Sequence, residues 1–166
     1  MVSATSSPIF LALVQLSAIL DLIMFRIALI SCCLTGTAFA TTWTVDDDGP
    51  ADFDNIQAAI DASSDGDEIL VYPGTYTSAS NPVVDTLGKT IRLYSSGGAA
   101  VTIIDGGGLR RGIKCVTAET SSTIIDGFTI VGGSAFEGGG ILCSGSSPTI
   151  RNCVFDGNSA SFGGGV

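Results

Sequence analysis

One five-residue string occurs twice. Thr102-Ile103-Ile104-Asp105-Gly106 returns as Thr123-Ile124-Ile125-Asp126-Gly127, 21 positions further on. Thr149-Ile150-Arg151-Asn152-Cys153 follows at a further 26. Gly112-Ile113-Lys114-Cys115 reappears as Gly140-Ile141-Leu142-Cys143, and Gly138-Gly139-Gly140-Ile141 as Gly163-Gly164-Gly165-Val166, 25 positions on. A drifting period of 21 to 28, built from short β-branched runs between glycine clusters, marks a solenoid. Each coil is too small to bury its inward side chains alone, but stacked coils bury a continuous column. Propeller blades need roughly twice this period. The expected fold is therefore all-β, a right-handed single-stranded parallel β-helix. About four coils fit between Asp67 and Val166.

Stacking makes predictions at the level of residues. Like positions of successive coils lie about 4.8 Å apart. Cys143 is then expected beside Cys115, Asp126 beside Asp105, and Asn152 above Asp126. The expected strands are 42–45, two runs within 67–77 separated by the Pro73-Gly74 turn, 90–94, 101–104, 113–116, 123–125, 128–131, 140–143, 149–150 and 154–155.

Only one segment reads as a helix. Between Asp52 and Ser63, Phe53, Ile56, Ala59 and Ile60 share a face, and Asp54 with Gln57 fits a capping box. At about three turns it needs an apolar surface to lie on, and the strand from Asp67 onward offers one. This helix is expected to cover the open edge of the first coil, which blunts edge-to-edge aggregation. No comparable cover follows at the other end. The chain stops at Gly165-Val166, where a strand would begin, which reads as a fragment of a longer protein and predicts self-association through the uncapped C-terminal coil.

The front of the chain has a different character. Residues 1–40 carry two charges, Asp21 and Arg26; an apolar run from Ile27 to Leu34 and the small-x-small Ala38-Phe39-Ala40 complete a secretory signal peptide. Met24 makes the better start. A membrane anchor and a lipoprotein box at Leu29-Ile30-Ser31-Cys32 are the rival readings. The expected organisation is 1–40 signal, 41–66 strand and capping helix, 67–166 coils. The mature chain is then exported to an extracellular, periplasmic or outer cell-surface location.

Charge and composition narrow the function. The net charge is −9, with nine acidic and no basic residues between Asp46 and Glu68, which argues against nucleic-acid or anionic-membrane partners. The absence of histidine removes Ser-His-Asp and Cys-His nucleophiles and His-ligated zinc. Gly106-Gly107-Gly108 lacks the Gly-Lys-Ser/Thr and the following helix of a phosphate loop, and reads as turn glycines. Trp43 suits packing against the helix better than sugar stacking. Cys115, Cys143 and Cys153 remain after the signal; the first two fit either an inter-rung disulfide or a pair of small apolar thiols.

Two stretches resemble known families. Asp54-Asn55-Ile56-Gln57-Ala58-Ala59-Ile60-Asp61-Ala62, followed by Gly66-Asp67-Glu68-Ile69 and Val71-Tyr72-Pro73-Gly74-Thr75-Tyr76, resembles the N-terminal cap and first coil of pectin-lyase-like right-handed β-helix proteins. Gly138-Gly139-Gly140-Ile141, Phe155-Asp156-Gly157-Asn158 and Gly163-Gly164-Gly165-Val166 resemble the repeats of polymorphic outer-membrane proteins. The first resemblance implies a fold; lyases of that superfamily use calcium to neutralise a uronate while an Arg or Lys removes the proton. The residues here that suit such chemistry are Asp105 and Asp126 as a stacked carboxylate pair for calcium, with Arg110, Arg111 and Lys114 close by for an acidic sugar. The Asp-Gly context fits turn residues bonded to local backbone better than it fits such a pair. Asp46-Asp47-Asp48 reads as a solvated turn rather than a calcium loop. The family's calcium-ligand set and catalytic arginine motif are not recognisable. The expected function is an exported, non-catalytic β-helix module for cell-surface attachment, adhesion or glycan contact, its partner a polysaccharide or other surface component. The alternative is the N-terminal fragment of a polysaccharide lyase or glycoside hydrolase.

Overall fold

The protein is described by a computed structural model over residues 39–166, which wind into a parallel β-solenoid of about five turns with a single short helix. The signal-peptide reading of 1–40 falls almost entirely outside these residues. Three sheets run along the stack, and every strand pair within them is parallel. The first sheet holds β1 (Thr42–Val45), β2 (Glu68–Val71), β5 (Arg92–Ser95), β8 (Ile124–Asp126) and β11 (Thr149–Arg151). The second holds β3 (Gly74–Tyr76), β6 (Thr102–Arg110), β9 (Thr129–Glu137) and β12 (Val154–Asp156), with β13 (Ser159–Phe162) on the far half of β9. The third is β4 (Val84–Asp85), β7 (Ile113–Cys115) and β10 (Ile141–Cys143). The stretch from Asp67 supplies four strands of the first sheet, as the repeat count predicts. β1 pairs in register with β2 and adds the fifth.

Alternation along each short strand decides what points inward. Successive rungs then stack like on like. Ile69, Leu93, Ile125 and Ile150 form one column, Tyr76, Ile104, Ile130 and Phe155 a second, and Val84, Ile113 and Ile141 a third. All but Ile150 and Phe155 are buried. Burying one such side chain contributes about 1.5–3 kcal/mol, so the columns are the main source of cohesion.

The helix α1 spans Ile56–Ala62, shorter than the predicted 52–63. Asn55 is its N-cap, accepting from the Ala58 N–H at 2.8 Å, so the expected Asp54–Gln57 capping box does not form. Gln57 instead reaches the body: its Oε1 accepts from the Asp85 N–H at 2.7 Å. Ile56, Ala59 and Ile60 are buried as predicted. Phe53 lies outside the helix, bridges to Val45, and meets Trp43 edge-on at 5.6 Å between ring centroids. The Lys89 ammonium donates to the carbonyls of Ile60, Asp61 and Ser63, satisfying orphan acceptors at the helix end.

The true spacing between rungs differs from the one suggested by the repeated pentapeptide. Ile103 pairs with Thr129 and Thr129 with Val154, 26 and 25 positions apart, whereas Glu68, Arg92 and Ile124 are separated by 24 and 32. The offset of 21 is not a rung. It carries Thr102–Gly106 on the second sheet to Thr123–Gly127 on the first.

At the corner between the second and third sheets, backbone packs directly on backbone. Gly112, Gly140 and Gly165 stack there, linked by Ile113 N–H to Gly140 O at 2.8 Å and Ile141 N–H to Gly165 O at 2.9 Å. A Cβ on Gly112 would lie 2.5 Å from the Gly140 carbonyl oxygen, and one on Gly140 2.5 Å from that of Gly165. Glycine is required here by close approach, at backbone angles any residue adopts.

Candidate functional site

The five residues singled out by the sequence do not converge. Asp126 lies on the first sheet between Tyr94 and Arg151, whereas Asp105 lies on the second beside Val131. The expected stacked carboxylate pair, and with it a calcium ion held between Asp105 and Asp126, is therefore not formed. The reason is physical: both pentapeptides follow a turn and place a Thr and the second Ile inward, so they look alike while serving different faces.

Each candidate has partners inside the stack. Asp126 sits 2.9 Å from the Arg151 guanidinium and 3.8 Å from that of Arg92, and its Oδ1 accepts from Asn152 at 2.8 Å. Asn152 reaches Asp126 through its side chain, but the residue in register above Asp126 is Arg151, one position short of the stacking that the repeats suggest. Burial works to raise the Asp126 pKa, but the Asn152 and Arg151 hydrogen bonds and the two arginine charges outweigh it and hold the carboxyl low. The ladder continues from Arg92 to Glu68 at 3.2 Å, with the guanidinium 4.0 Å above the Tyr94 ring. Partly exposed pairs of this kind each stabilise by about 0–1 kcal/mol. Their order along the outer face fixes register more than it adds stability.

Asp105 behaves as a turn residue: its Oδ1 accepts from the Gly107 N–H at 2.7 Å. Arg111 clamps the next rung, donating to the carbonyls of Glu137 at 2.9 Å and Gly138 at 3.1 Å. Lys114 pairs with Asp85 one rung away at 2.8 Å. Arg110 is tied only through its backbone opposite Gly133, and among the described residues its guanidinium has no ion pair. Of the proposed basic set, Arg110 alone is left to meet an incoming ligand.

The sequence reading passed over the most deeply set charges. Glu119 is 3% exposed, yet its carboxylate accepts from Thr86 and Ser146 hydroxyls, both at 2.6 Å, and from the Thr117 and Gly88 N–H groups at 2.8 and 3.0 Å. Burial alone would raise its pKa; these donors reverse the effect and hold it down at about 2. One side chain thereby joins loops of three successive rungs. Asp67, also buried, accepts from the Ser64 and Thr41 N–H groups and the Trp43 indole, which keep it ionised. The signal that was available for Glu119 is its position: a lone carboxylate among hydroxyls in Thr117–Ser122, with Ser144–Ser147 one repeat later.

At the opposite end of the first sheet, Asp46, Asp47 and Asp48 bring their carboxylate oxygens within 4.8 Å of one another. Asp46 accepts from the Asp48 N–H at 3.4 Å, which is turn chemistry, whereas Asp47 accepts from the Thr75 N–H at 3.0 Å on the strand of the following coil. Burial, reinforced by the charges of Asp47 and Asp46, pushes the nearby Tyr76 phenol up to about 12. Cys143 pairs in register with Cys115, as predicted. Trp43 packs edge-on against Phe53, just ahead of the helix.

The outer surface also presents large apolar side chains. Leu109, Phe136 and Phe162 are 74%, 69% and 64% exposed, and the two phenyl rings meet edge-on at 5.6 Å between centroids. Phe162 stands in register with Glu137, so this aromatic pair spans the edge where β13 joins β9. No protein-family model and no curated protein matches the chain.

Proposed function

We propose that this parallel β-helix is an exported, non-catalytic module for cell-surface attachment, adhesion or glycan contact, and that its contact surface is the flank carrying Phe136 and Phe162. The observation that carries this reading is that aromatic pair, standing in solvent on neighbouring strands while most of the candidate charges are bound within the stack. Contiguous exposed apolar surface marks a contact site more often than it marks chance. Aromatic rings in particular offer flat faces to the C–H surfaces of sugars as well as to protein. Arg110, reachable beyond the turn that Asp105 caps, supplies a positive charge for an acidic glycan. Resemblance of residues 54–76 to the cap of pectin-lyase-like proteins supports the fold of such a module and a polysaccharide partner.

The test is cosedimentation of the chain with insoluble acidic polysaccharide and with cell-wall material, comparing wild type with the double variant Phe136→Ala, Phe162→Ala. Wild type should pellet and the double variant should remain largely in solution. Incubation with soluble acidic polysaccharide and calcium should give no ultraviolet absorbance from unsaturated sugars. A rise in that absorbance would sink the non-catalytic reading in favour of the polysaccharide-lyase alternative.

A further inference from the structure

The third sheet brings two thiols into one inward column. Asp85 aligns with Lys114, and Leu142 with Lys114, so Thr86, Cys115 and Cys143 follow one another at the next inward position. The Thr86 hydroxyl donates to the Glu119 carboxylate at 2.6 Å, with the Lys114 carbonyl 3.1 Å away, and Cys115 and Cys143 are direct register partners on adjacent strands. In-register partners on parallel strands have Cα atoms about 4.8 Å apart, within the roughly 4.4–6.8 Å that a disulfide spans. Cys115 is wholly buried, whereas Cys143 is half-buried and reachable from solvent. Cys153 belongs to another corner, its Sγ set 3.2 Å from the Arg151 carbonyl, and is in register with neither.

We propose that Cys115 and Cys143 are a redox pair that closes a disulfide between β7 and β10, locking these two rungs together across the interior of the stack. The oxidant is a small-molecule disulfide of the glutathione class. Cys143, as thiolate, attacks one sulfur of that molecule, breaking its S–S bond and releasing one thiol. Cys115 then attacks the Cys143 sulfur in the mixed disulfide and expels the second thiol. Two protein thiols and one small disulfide become one protein disulfide and two small thiols, so electrons and protons balance. The neighbouring Cys143 and burial hold the Cys115 proton on, whereas contact with Cys115 brings the Cys143 thiol below its ordinary value, so Cys143 attacks first and closure by Cys115 is the slower step, quickened as pH rises.

The closed bond would constrain a loop of 28 residues in the unfolded chain and raise Tm by the order of 10 °C. The experiment uses the full chain, incubated with oxidised glutathione at pH 8.5, alkylated, digested and mapped by mass spectrometry, alongside Cys143→Ser and Cys153→Ser. The proposal requires a peptide pair joined through Cys115 and Cys143 in wild type and in Cys153→Ser, with the rise in Tm in both. Cys143→Ser should show neither the link nor the shift, and a Cys115 that alkylates only after denaturation. Cys143 stopping at the glutathione adduct, a link to Cys153 instead, or two thiols unchanged after a day would each overturn it. Wild-type mapping alone decides the matter if a variant fails to fold.

Discussion

Two copies of the same five residues live in this molecule under different rules. Thr102–Gly106 and Thr123–Gly127 both send a Thr and the second Ile inward, and all four of those side chains are buried. Outside, the likeness ends. Asp105 closes its own turn on the Gly107 N–H, whereas Asp126 is the meeting point of Arg92, Arg151 and Asn152 from the rungs before and after. The glycines part company too. Gly127 turns a corner at φ +82°, while Gly106 continues in extended backbone with no room for a Cβ beside the Gly132 carbonyl. The bend leading into the first copy is held by Ser95 against Thr102 at 2.6 Å, and the bend leading into the second by the loop that Glu119 anchors. Local sequence therefore sets which side chain faces in; the neighbouring rung sets what an outward side chain does.

The largest effect should come from what the copies share. Ile104→Ala and Ile125→Ala should each cost about 2–5 kcal/mol, with Ile103→Ala and Ile124→Ala below about 1 kcal/mol, in urea denaturation. A gap above about 2 kcal/mol between the two buried isoleucines would show that the inward roles are not equivalent.

A smaller, pH-dependent effect should separate the bends that precede the copies. The Glu119 carboxyl, held at about 2 in the fold, lies below its ordinary value, so its contribution is full above pH about 4.5 and is lost as pH falls through 2. Glu119→Gln should cost about 2 kcal/mol at pH 7, and the gap to wild type should close toward pH 2. Ser95→Ala should show no such closing. A wild-type to Gln difference that stays level between pH 7 and pH 2.5 would mean that the buried carboxyl is not ionised.

The smallest effect should distinguish the aspartates. Asp126→Asn should cost about 1 kcal/mol at low salt and less in 1 M salt, because its ion pairs are partly screened. Asp105→Asn should fall within about 0.5 kcal/mol of wild type at any salt, since asparagine serves the same turn. Equal losses would erase the distinction between a local turn and an inter-rung junction.

The inside-outside pattern was legible because it needs only alternation within a strand and glycine or polar residues between strands. Burial of Ile69 and Val71, the Gly138–Ile141 stack on Gly163–Val166, and the Cys115–Cys143 register all follow from it. The partner of Asp126 was less legible. A repeated string shows that two segments have the same local task, while adjacency depends on how many residues each corner takes up. From Arg92 to Thr102 is ten positions, but from Ile124 to Thr129 only five. An offset of 21 from Thr102 brings the chain round only as far as the first sheet, and the second sheet is reached again at Thr129. The helix boundary failed for a related reason: Phe53 has the right spacing for the helical stripe, but Trp43 and Val45 hold it outside the helix. Glu119 and Lys89 escaped notice because nothing in a lone charge between strands foretells three loops converging on it.

The glycine corner has a consequence for how such a chain can vary in length. With carbonyls packed where side chains would stand, no residue can be added at 138–140 without prising adjacent turns apart. The passage from Arg92 to Thr102, already five positions longer than its counterpart in the next turn, shows where extra peptide is carried. Growth, tags and grafted epitopes belong on that bend, while the glycine seam behaves as the spine of a bound book, whose pages lengthen only at the free margin.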